Sequence, residues 1–336
     1  MAAAARVHPS TVSRVLNGRG ATAMRPETRR RVVVAARRLG YRPSTVARGL
    51  RLQRTMTLGM LVPDITNPFF SSIIKGAEEA ARDRGYDLIL CNSEDMPERE
   101  ATYLGVLRAR QVDGLLIASS RMADATIAEL RREGFPFVLL NRSSGVEDLA
   151  VVVDNRAAAE AVVAHLARLG HRRVAHIAGP RTTTTGAERS AGFLAGIRRH
   201  DLAQDEELLV EADAFSEDAG YRAAGALLRA RERPTAIFGA NDLIAIGALR
   251  AARDAELRVP ADLSIVGFND IPLANLLEPA LTTVHVPQLE MGVQGARLLI
   301  DRLEGAPGGR TRVVLPTALV IRASSTAAGD PVTRTP

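Results

Sequence analysis

From residue 56 onward, short uninterrupted apolar runs alternate with longer segments of helical period, and the alternation occurs twice. Leu58-Gly59-Met60-Leu61-Val62, Leu88–Leu90, Gly114–Ala118, Phe137–Leu140 and Val151–Val153 form the first set of runs. Residues 69–84, 97–110 and 122–133 carry the helical period between them. The second series predicts helix 155–169, strand 174–178, helix 187–200, strand 208–210, helix 217–230, strand 235–238, helix 241–253 and strand 264–267. A run of four or five apolar residues without polar alternation fits a strand buried on both faces, and helices between such strands imply parallel crossovers. Two series therefore predict an α/β body of two doubly wound parallel-sheet lobes. Gly267–Val286 and 310–318 read as returns between the lobes. The chain is expected to cross three times, with helix 287–303 in the first lobe.

Folds of this kind bind ligands in the crevice outside the carboxyl ends of their strands. The residues just beyond those ends are Asp64, Asn67, Phe69 and Phe70, then Asn92, Ser119, Asn141-Arg142, Gly179, Phe215, Asn241-Asp242 and Asn269-Asp270. Only 4% of the chain is aromatic, so three aromatic residues at this one level are more than chance supplies. Amides and carboxylates hydrogen-bond hydroxyls, and aromatic faces stack on the apolar faces of sugars or bases. Asp and Asn at strand ends also cap the helix that follows. For Asn241-Asp242 capping is expected alongside binding.

The first 55 residues differ in kind. They hold 13 Arg, no Lys and one acid, Glu27, for a net charge of +12, while the remainder of the chain carries −6. Such asymmetry points to an anion-binding head, nucleic acid first, on an ordinary body. Val12, Val15 and Leu16 make one apolar helical face, with Ser10, Ser13, Arg14 and Asn17 on the other. Pro9 suits the first helical position. Met1–Ala5 reads as a short helical scrap, and Arg6-Val7-His8 as the turn after it. Arg25-Pro26-Glu27-Thr28 opens another helix, running to Leu39, with Val32, Ala36 and Leu39 inward and Arg29, Arg30, Arg37 and Arg38 outward. Gly40 is placed to cap it. This makes a three-helix unit of about 40 residues, expected as a small all-α helix-turn-helix head, although a generic helical hairpin could show the same face. Its middle helix carries Arg for guanine edges, and Ser10, Thr11, Ser13 and Asn17 for bases or phosphates.

The head carries a specific resemblance. Pro9-Ser10-Thr11-Val12-Ser13-Arg14-Val15-Leu16-Asn17-Gly18, Pro26-Glu27-Thr28-Arg29 and Leu39-Gly40-Tyr41-Arg42-Pro43 resemble the helix-turn-helix signature of the LacI/GalR family of bacterial repressors. Ser44–Arg51 resembles that family's hinge. The resemblance implies a hinge helix formed on DNA, with Leu50 as the minor-groove wedge and Ala47 beside it. Eight residues are too few for a stable free helix, which fits folding on DNA. The family's first helix begins upstream of the position of Met1, so a misassigned start is expected. Arg6 and His8 stand where the family has Gly and a Ser cap.

The resemblance continues to about residue 325, through Val62-Pro63-Asp64-Ile65-Thr66-Asn67-Pro68-Phe69-Phe70, Gly170-His171-Arg172-Arg173, Ala240-Asn241-Asp242 and Val266-Gly267-Phe268-Asn269-Asp270. It implies a periplasmic-binding-protein-like body. By that resemblance Phe69 and Phe70 match the aromatic pair at the pocket mouth, Arg189 the ligand-clamping Arg, and Phe215 the stacking aromatic. Asn141 and Asn269 stand where many members have Asp, which lowers the pocket's negative charge. The ligand-binding set is thus Asp64, Asn67, Phe69, Phe70, Asn141, Arg189, Phe215, Asn241 and Asn269.

The expected division is 1–42 for DNA binding, 43–55 for the hinge, 56–325 for ligand binding and dimerisation, and 326–336 as a polar tail. Within the body, 56–153 and 286–312 form the first lobe, and 154–282 and 315–325 the second. The end of the chain lacks leucine heptads, so a homodimer is expected. The predicted function is a transcriptional repressor on a near-palindromic operator, answering to a sugar or nucleoside effector. The competing reading is a cytoplasmic small-ligand binder whose head no longer binds DNA.

Other classes are disfavoured. The chain has no Gly-x-Gly-x-x-Gly opening a helix, no Gly-Lys-Ser/Thr phosphate loop and no Gly-x-Ser-x-Gly elbow, so no enzyme and no cofactor are expected. Cys91 is the single cysteine, excluding an intrachain disulfide and a cysteine-built zinc site. His165, His171 and His176 read as solvated or capping rather than metal-binding. Thr182–Thr185 reads as a loop. No run of about 18 apolar residues spans a membrane, and no signal peptide opens the chain, so a cytoplasmic, nucleoid-associated protein is expected.

Overall fold

The computed structural model describes residues 1–16, 24–39, 54–109, 112–144, 148–306 and 312–329. It separates into two compact units, Met1–Met56 and Thr57–Pro336.

In the first unit lie α1 (Ala2–Ala5), α2 (Pro9–Leu16) and α3 (Pro26–Arg38). Ala5, Val12, Val15, Val32 and Ala35 form its core. Arg6 adopts the left-handed conformation, φ 49° and ψ 50°, at the end of α1. The cost of placing Arg rather than Gly there is about 1 kcal/mol. Arg31 on α3 offsets it. Its Nη2 donates to Ala5 O at 2.6 Å and to Arg6 O at 2.9 Å, satisfying carbonyls the short helix leaves open. The His8 ring assumes the cap role, its Nδ1 accepting from Ser10 N–H at 3.3 Å. Leu39 departs from expectation. The helix ends at Arg38, and Leu39 follows it in the capping position, 54% exposed rather than inward. Gly40 lies outside the described residues.

The second unit opens with β1 (Thr57–Val62), α4 (Pro68–Asp83), β2 (Asp87–Asn92), α5 (Pro97–Ala109), β3 (Gly114–Ile117), α6 (Ala125–Arg132), β4 (Phe137–Leu140) and β5 (Ala150–Val153). The second series is α7 (Asn155–Arg168), β6 (Val174–Ala178), α8 (Thr184–Arg199), β7 (Leu209–Glu211), α9 (Glu217–Arg229), β8 (Ala236–Gly239), α10 (Asp242–Asp254) and β9 (Ser264–Val266). Then come β10 (Thr283–His285), α11 (Gln288–Leu303), β11 (Arg312–Leu315) and β12 (Ala318–Val320).

The first sheet has the order β11-β5-β4-β3-β1-β2 and the second β7-β6-β8-β9, and every pairing in both is parallel. Leu58, Met60, Leu61, Leu115, Leu116, Val138 and Leu139 are fully buried in the first, as uninterrupted apolar strands require. The chain crosses between lobes after β5, between β9 and α11, and between β11 and β12. The last two crossings are tied by the antiparallel pair β10–β12. Helix α11 returns to the first lobe and packs on α4 at backbone distance. A Cβ at Gly292 would stand 2.0 Å from Ile73 O, and one at Gly76 2.1 Å from Leu289 O.

Two expectations need correction here. Thr182–Thr185 is not all loop. Thr183 caps α8, its Oγ1 accepting from Gly186 N–H at 3.1 Å, and Thr184 and Thr185 lie in the first turn. The three histidines are buried rather than solvated. His165 Nε2 meets Ser325 Oγ at 3.1 Å, and His171 meets Thr235 Oγ1 at 2.9 Å and Thr326 O at 3.1 Å. They hold the chain's closing segment to the second lobe. His176 lies inside that lobe, stacked on Phe238 at 4.6 Å.

Candidate functional site

In each sheet the first strand is internal, with β2 and β3 on either side of β1 and β7 and β8 on either side of β6. The strand order reverses at β1 and at β6, and such switch points open a crevice at the carboxyl ends.

On the first lobe, Asp64 Oδ1 accepts from Thr66 N–H at 2.8 Å and Thr66 Oγ1 at 2.7 Å, and Asn67 Oδ1 caps α4 through Phe69 N–H at 3.0 Å. Asn92 Oδ1 accepts from Ile65 N–H at 2.9 Å. These three side chains shape the loop after β1. Phe69 and Phe70 are buried edge to face, centroids 5.1 Å apart. After β4, Asn141 takes φ 63° and donates its N–H to Val151 O at 2.9 Å. Arg142 follows, buried, its Nη1 donating to Asp95 Oδ1 at 2.8 Å and Ser119 O at 3.3 Å.

On the second lobe, Arg189 rises from α8 with its whole side chain buried. Its Nε donates to Asn155 Oδ1 at 2.9 Å and its Nη1 to Ala240 O at 2.6 Å. Burial pulls its pKa down to about 9, opposed by the charges of Asp242 and Glu188. Asn241 caps α10 through Ile244 N–H at 2.9 Å, and its Nδ2 donates to Phe215 O at 3.2 Å. One amide thus serves as cap and as holder of the aromatic residue. The Phe215 ring lies on Gly179, where a Cβ would stand 2.1 Å from Cε1. Asp242 accepts from Thr283 Oγ1 at 2.5 Å and Ile271 N–H at 2.8 Å. Burial nevertheless pushes its carboxyl up to about 7.

The lobes touch across the crevice. Arg142 lies over the Phe215 ring, 5.5 Å from its centroid. Ser143 N–H donates to Thr184 Oγ1 at 3.0 Å, and Met122 N–H to Thr182 O at 2.8 Å. Asn269, in the crossing after β9, has φ 118° and accepts at its carbonyl from Gln288 Nε2 at 2.8 Å. Around this seam Ser120 Oγ, Asn141 Oδ1, Arg142 Nε and Asn269 Oδ1 are buried with no partner among the described residues. Buried polar atoms without partners are uncommon in folded proteins, and a cluster of them asks for a ligand or ordered water.

Of the nine ligand-binding candidates, Asn141, Arg189, Phe215, Asn241 and Asn269 gather at this seam. Asp64 and Asn67 are engaged in the loop after β1, and Phe69 and Phe70 are buried behind it. Sequence reasoning omitted Arg142, Asn155, Ser120 and Gln288 from the candidate set. Arg142 was within reach, standing directly after a strand-end Asn. Asn155 and Gln288 lie at helix starts after crossings, where nothing in the pattern marks a site. Among the described residues no group of three His, Cys, Asp or Glu side chains is placed to hold a metal, and no helix is long and apolar enough to cross a membrane.

In the head, Ser10 and Arg14 are exposed on α2 opposite Val12 and Val15, and Thr11 is half-buried. Only the backbone of Ser13 is described. Asn17, Ala47 and Leu50 lie outside the described residues.

The family model of bacterial regulatory proteins, lacI family, matches residues 1–44, and that of the periplasmic binding protein-like domain matches residues 163–325. The ribose operon repressor of Halalkalibacterium halodurans is 36% identical over 318 residues, 95% of this chain and 93% of that protein. The chain belongs to the LacI family of bacterial regulatory proteins. Among solved LacI-like structures, the transcriptional regulator CelR–cellobiose complex is 34% identical with a TM-score of 0.75, covering 96% of this chain and 98% of that one. A LacI family transcriptional regulator from Enterococcus faecium with bound ribose is 32% identical with a TM-score of 0.71, covering 81% of this chain and 99% of that one. As a LacI family member the chain is a sequence-specific DNA-binding transcriptional repressor controlled by a small ligand.

Proposed function

We propose that the effector is of the sugar or nucleoside type and binds at the seam between the lobes. The observation that carries this is the cluster of buried, unpartnered polar atoms on Ser120, Asn141, Arg142 and Asn269. Asn141, Asn269 and Arg189 are assigned to the ligand's polar groups and Phe215 to its apolar face, with Asn241 fixing Phe215. Asp64, Asn67, Phe69 and Phe70 shape the pocket mouth. The cellobiose and ribose of the two related structures favour a sugar.

Residues 1–42 are assigned to DNA binding, 43–55 to the hinge and 56–325 to effector binding and dimerisation. Ser10, Thr11, Ser13, Arg14 and Asn17 meet the major groove, and Ala47 and Leu50 the minor groove. The protein acts as a cytoplasmic homodimer without catalytic activity. Two recognition helices one helical turn apart read a near-palindromic operator. Effector binding changes the lobe arrangement and so the population competent for DNA.

A thermal-shift panel of sugars, nucleosides and their oxidised and phosphorylated forms tests the effector reading. At least one compound should raise the melting temperature by mass action and alter DNA affinity. A panel in which no compound does either contradicts it.

A further inference from the structure

Of the two buried cations at the seam, Arg142 keeps a donor that nothing among the described residues takes up. Arg142 has one carboxylate partner, Asp95, and a buried Nε–H with no partner among the described residues. Arg189 has no carboxylate within ion-pair distance among the described residues. Its partners are the neutral Asn155 Oδ1 and Ala240 O. Of the two acids it feels most, Glu188 accepts from Asn155 Nδ2 at 2.8 Å, and Asp242 accepts from Thr283 and Ile271. Burial holds Asp242 toward its neutral form. The side chains next in sequence to Arg142 and to Phe268, on which Arg189 lies, are the uncharged amides Asn141 and Asn269.

A third source of positive potential adds to this. The sixteen-residue α8 begins at Thr184, and Thr184 Oγ1 accepts from the N–H of Ser143, the residue after Arg142. The amino end of a long helix therefore meets the loop that carries Arg142. Helix amino termini favour anions, and ionised partners make shorter and stronger hydrogen bonds than neutral ones. The unpartnered amide oxygens Asn141 Oδ1 and Asn269 Oδ1 ask for donors, as hydroxyls supply. The site thus calls for an acceptor-rich anion and for hydroxyl donors.

We infer that the effector is an acidic sugar, its one carboxylate or phosphate held by Arg142 at the amino end of α8 and its hydroxyls by Asn141 and Asn269. This rests on the seam being the effector site. A neutral sugar would offer the unpartnered Arg142 Nε–H only a neutral acceptor, and an ionised acceptor makes the stronger bond.

The test uses the whole protein and calorimetric titration with matched triples: glucose, glucuronate and glucose 6-phosphate; galactose, galacturonate and galactose 6-phosphate; ribose, ribonate and ribose 5-phosphate. In at least one triple a charged member should bind about tenfold or more tightly than its neutral partner, a difference of about 1.4 kcal/mol. Whether the acid or the phosphate leads identifies the anionic group. Arg142→Gln should collapse the difference within that triple. Asn141→Asp and Asn269→Asp, which restore negative charge with little change of shape, should weaken the charged sugar and serve if the Arg142 variant does not fold. A neutral sugar that binds as well as its charged partners overturns the inference while leaving the effector site in place. Failure of every compound, charged and neutral, overturns both.

Discussion

The guanidinium carbon of Arg189 lies 3.7 Å from the centroid of the Phe268 ring. Phe268 precedes Asn269 in the crossing between the lobes, and Arg189 stands on the helix that opens at the seam. A desolvated cation over an aromatic face is worth about 2 kcal/mol. This contact links the floor of the site to the strap that joins the lobes, and Asn155 and Ala240 hold it from the other side.

Arg189→Met should leave Asn155 Oδ1 and Ala240 O without their donors. The expected loss of folding stability is about 3 kcal/mol, together with loss of effector binding. Arg189→Lys keeps the charge but not the planar fork, and should lose most of the same stability. Urea unfolding of the two variants against the parent checks both.

Asp242 and His176 should pull stability in opposite directions with pH. Asp242 has its folded pKa raised from 3.8 to about 7, so the folded state holds the proton longer. Its contribution therefore falls as pH rises from 3.8 to about 7. Burial lowers His176 from 6.5 to about 4, so the unfolded state takes the proton first. Its contribution falls as pH drops from 6.5 to about 4. The effects are of the order of 4 kcal/mol for Asp242 and 3 kcal/mol for His176, and they oppose across the shared window. Asp242→Asn should unmask a stability that climbs with pH from 4 to 6.5, and His176→Phe one that declines from 4 to 7. Unfolding curves at four pH values decide it; unchanged slopes in both variants would refute the assignment.

Gly179→Ala should act through Phe215. The added methyl would overlap the ring edge and force Phe215 off its present seat. Effector affinity should fall about tenfold, and Phe215→Ala in the same background should add little, since the two changes share one contact. Full additivity in the double mutant would contradict the coupling.

The hinge assignment predicts that Leu50→Ala weakens binding to the operator far more than to random DNA, because only the specific complex opens a base step for the wedge. Equal loss on both fragments would count against it.

The two-lobe fold was legible because parallel strands buried on both faces leave unbroken apolar runs such as Leu58–Val62. What the sequence concealed depends on contacts between distant segments. Leu39 fits the apolar stripe of α3, yet the helix ends one residue earlier and turns it outward. Four consecutive threonines can each cap a helix, and only the reach of Thr183 Oγ1 to Gly186 N–H selects one. The return to the first lobe is legible, but Arg312–Leu315 reads only as part of a connection, and its pairing beside β5 as β11 is set by packing. At the site, the strand-end amides were visible as types. That Asn67 and Asn241 are spent on caps, while Asn141 and Asn269 keep free oxygens, is decided by packing. The burial of His165 and His171 escapes the sequence for the same reason, their partners Ser325 and Thr235 lying far away in the chain.

What the rest depends on is that the basic head binds DNA and the effector-controlled body governs that binding. The most direct test is the affinity of the whole protein for fragments of its own promoter region across a salt series. Tight binding to a near-palindromic fragment is expected, with log affinity falling against log salt by about 0.9 for each phosphate contacted. Binding that is absent, insensitive to salt, or no stronger than to a scrambled fragment would contradict it.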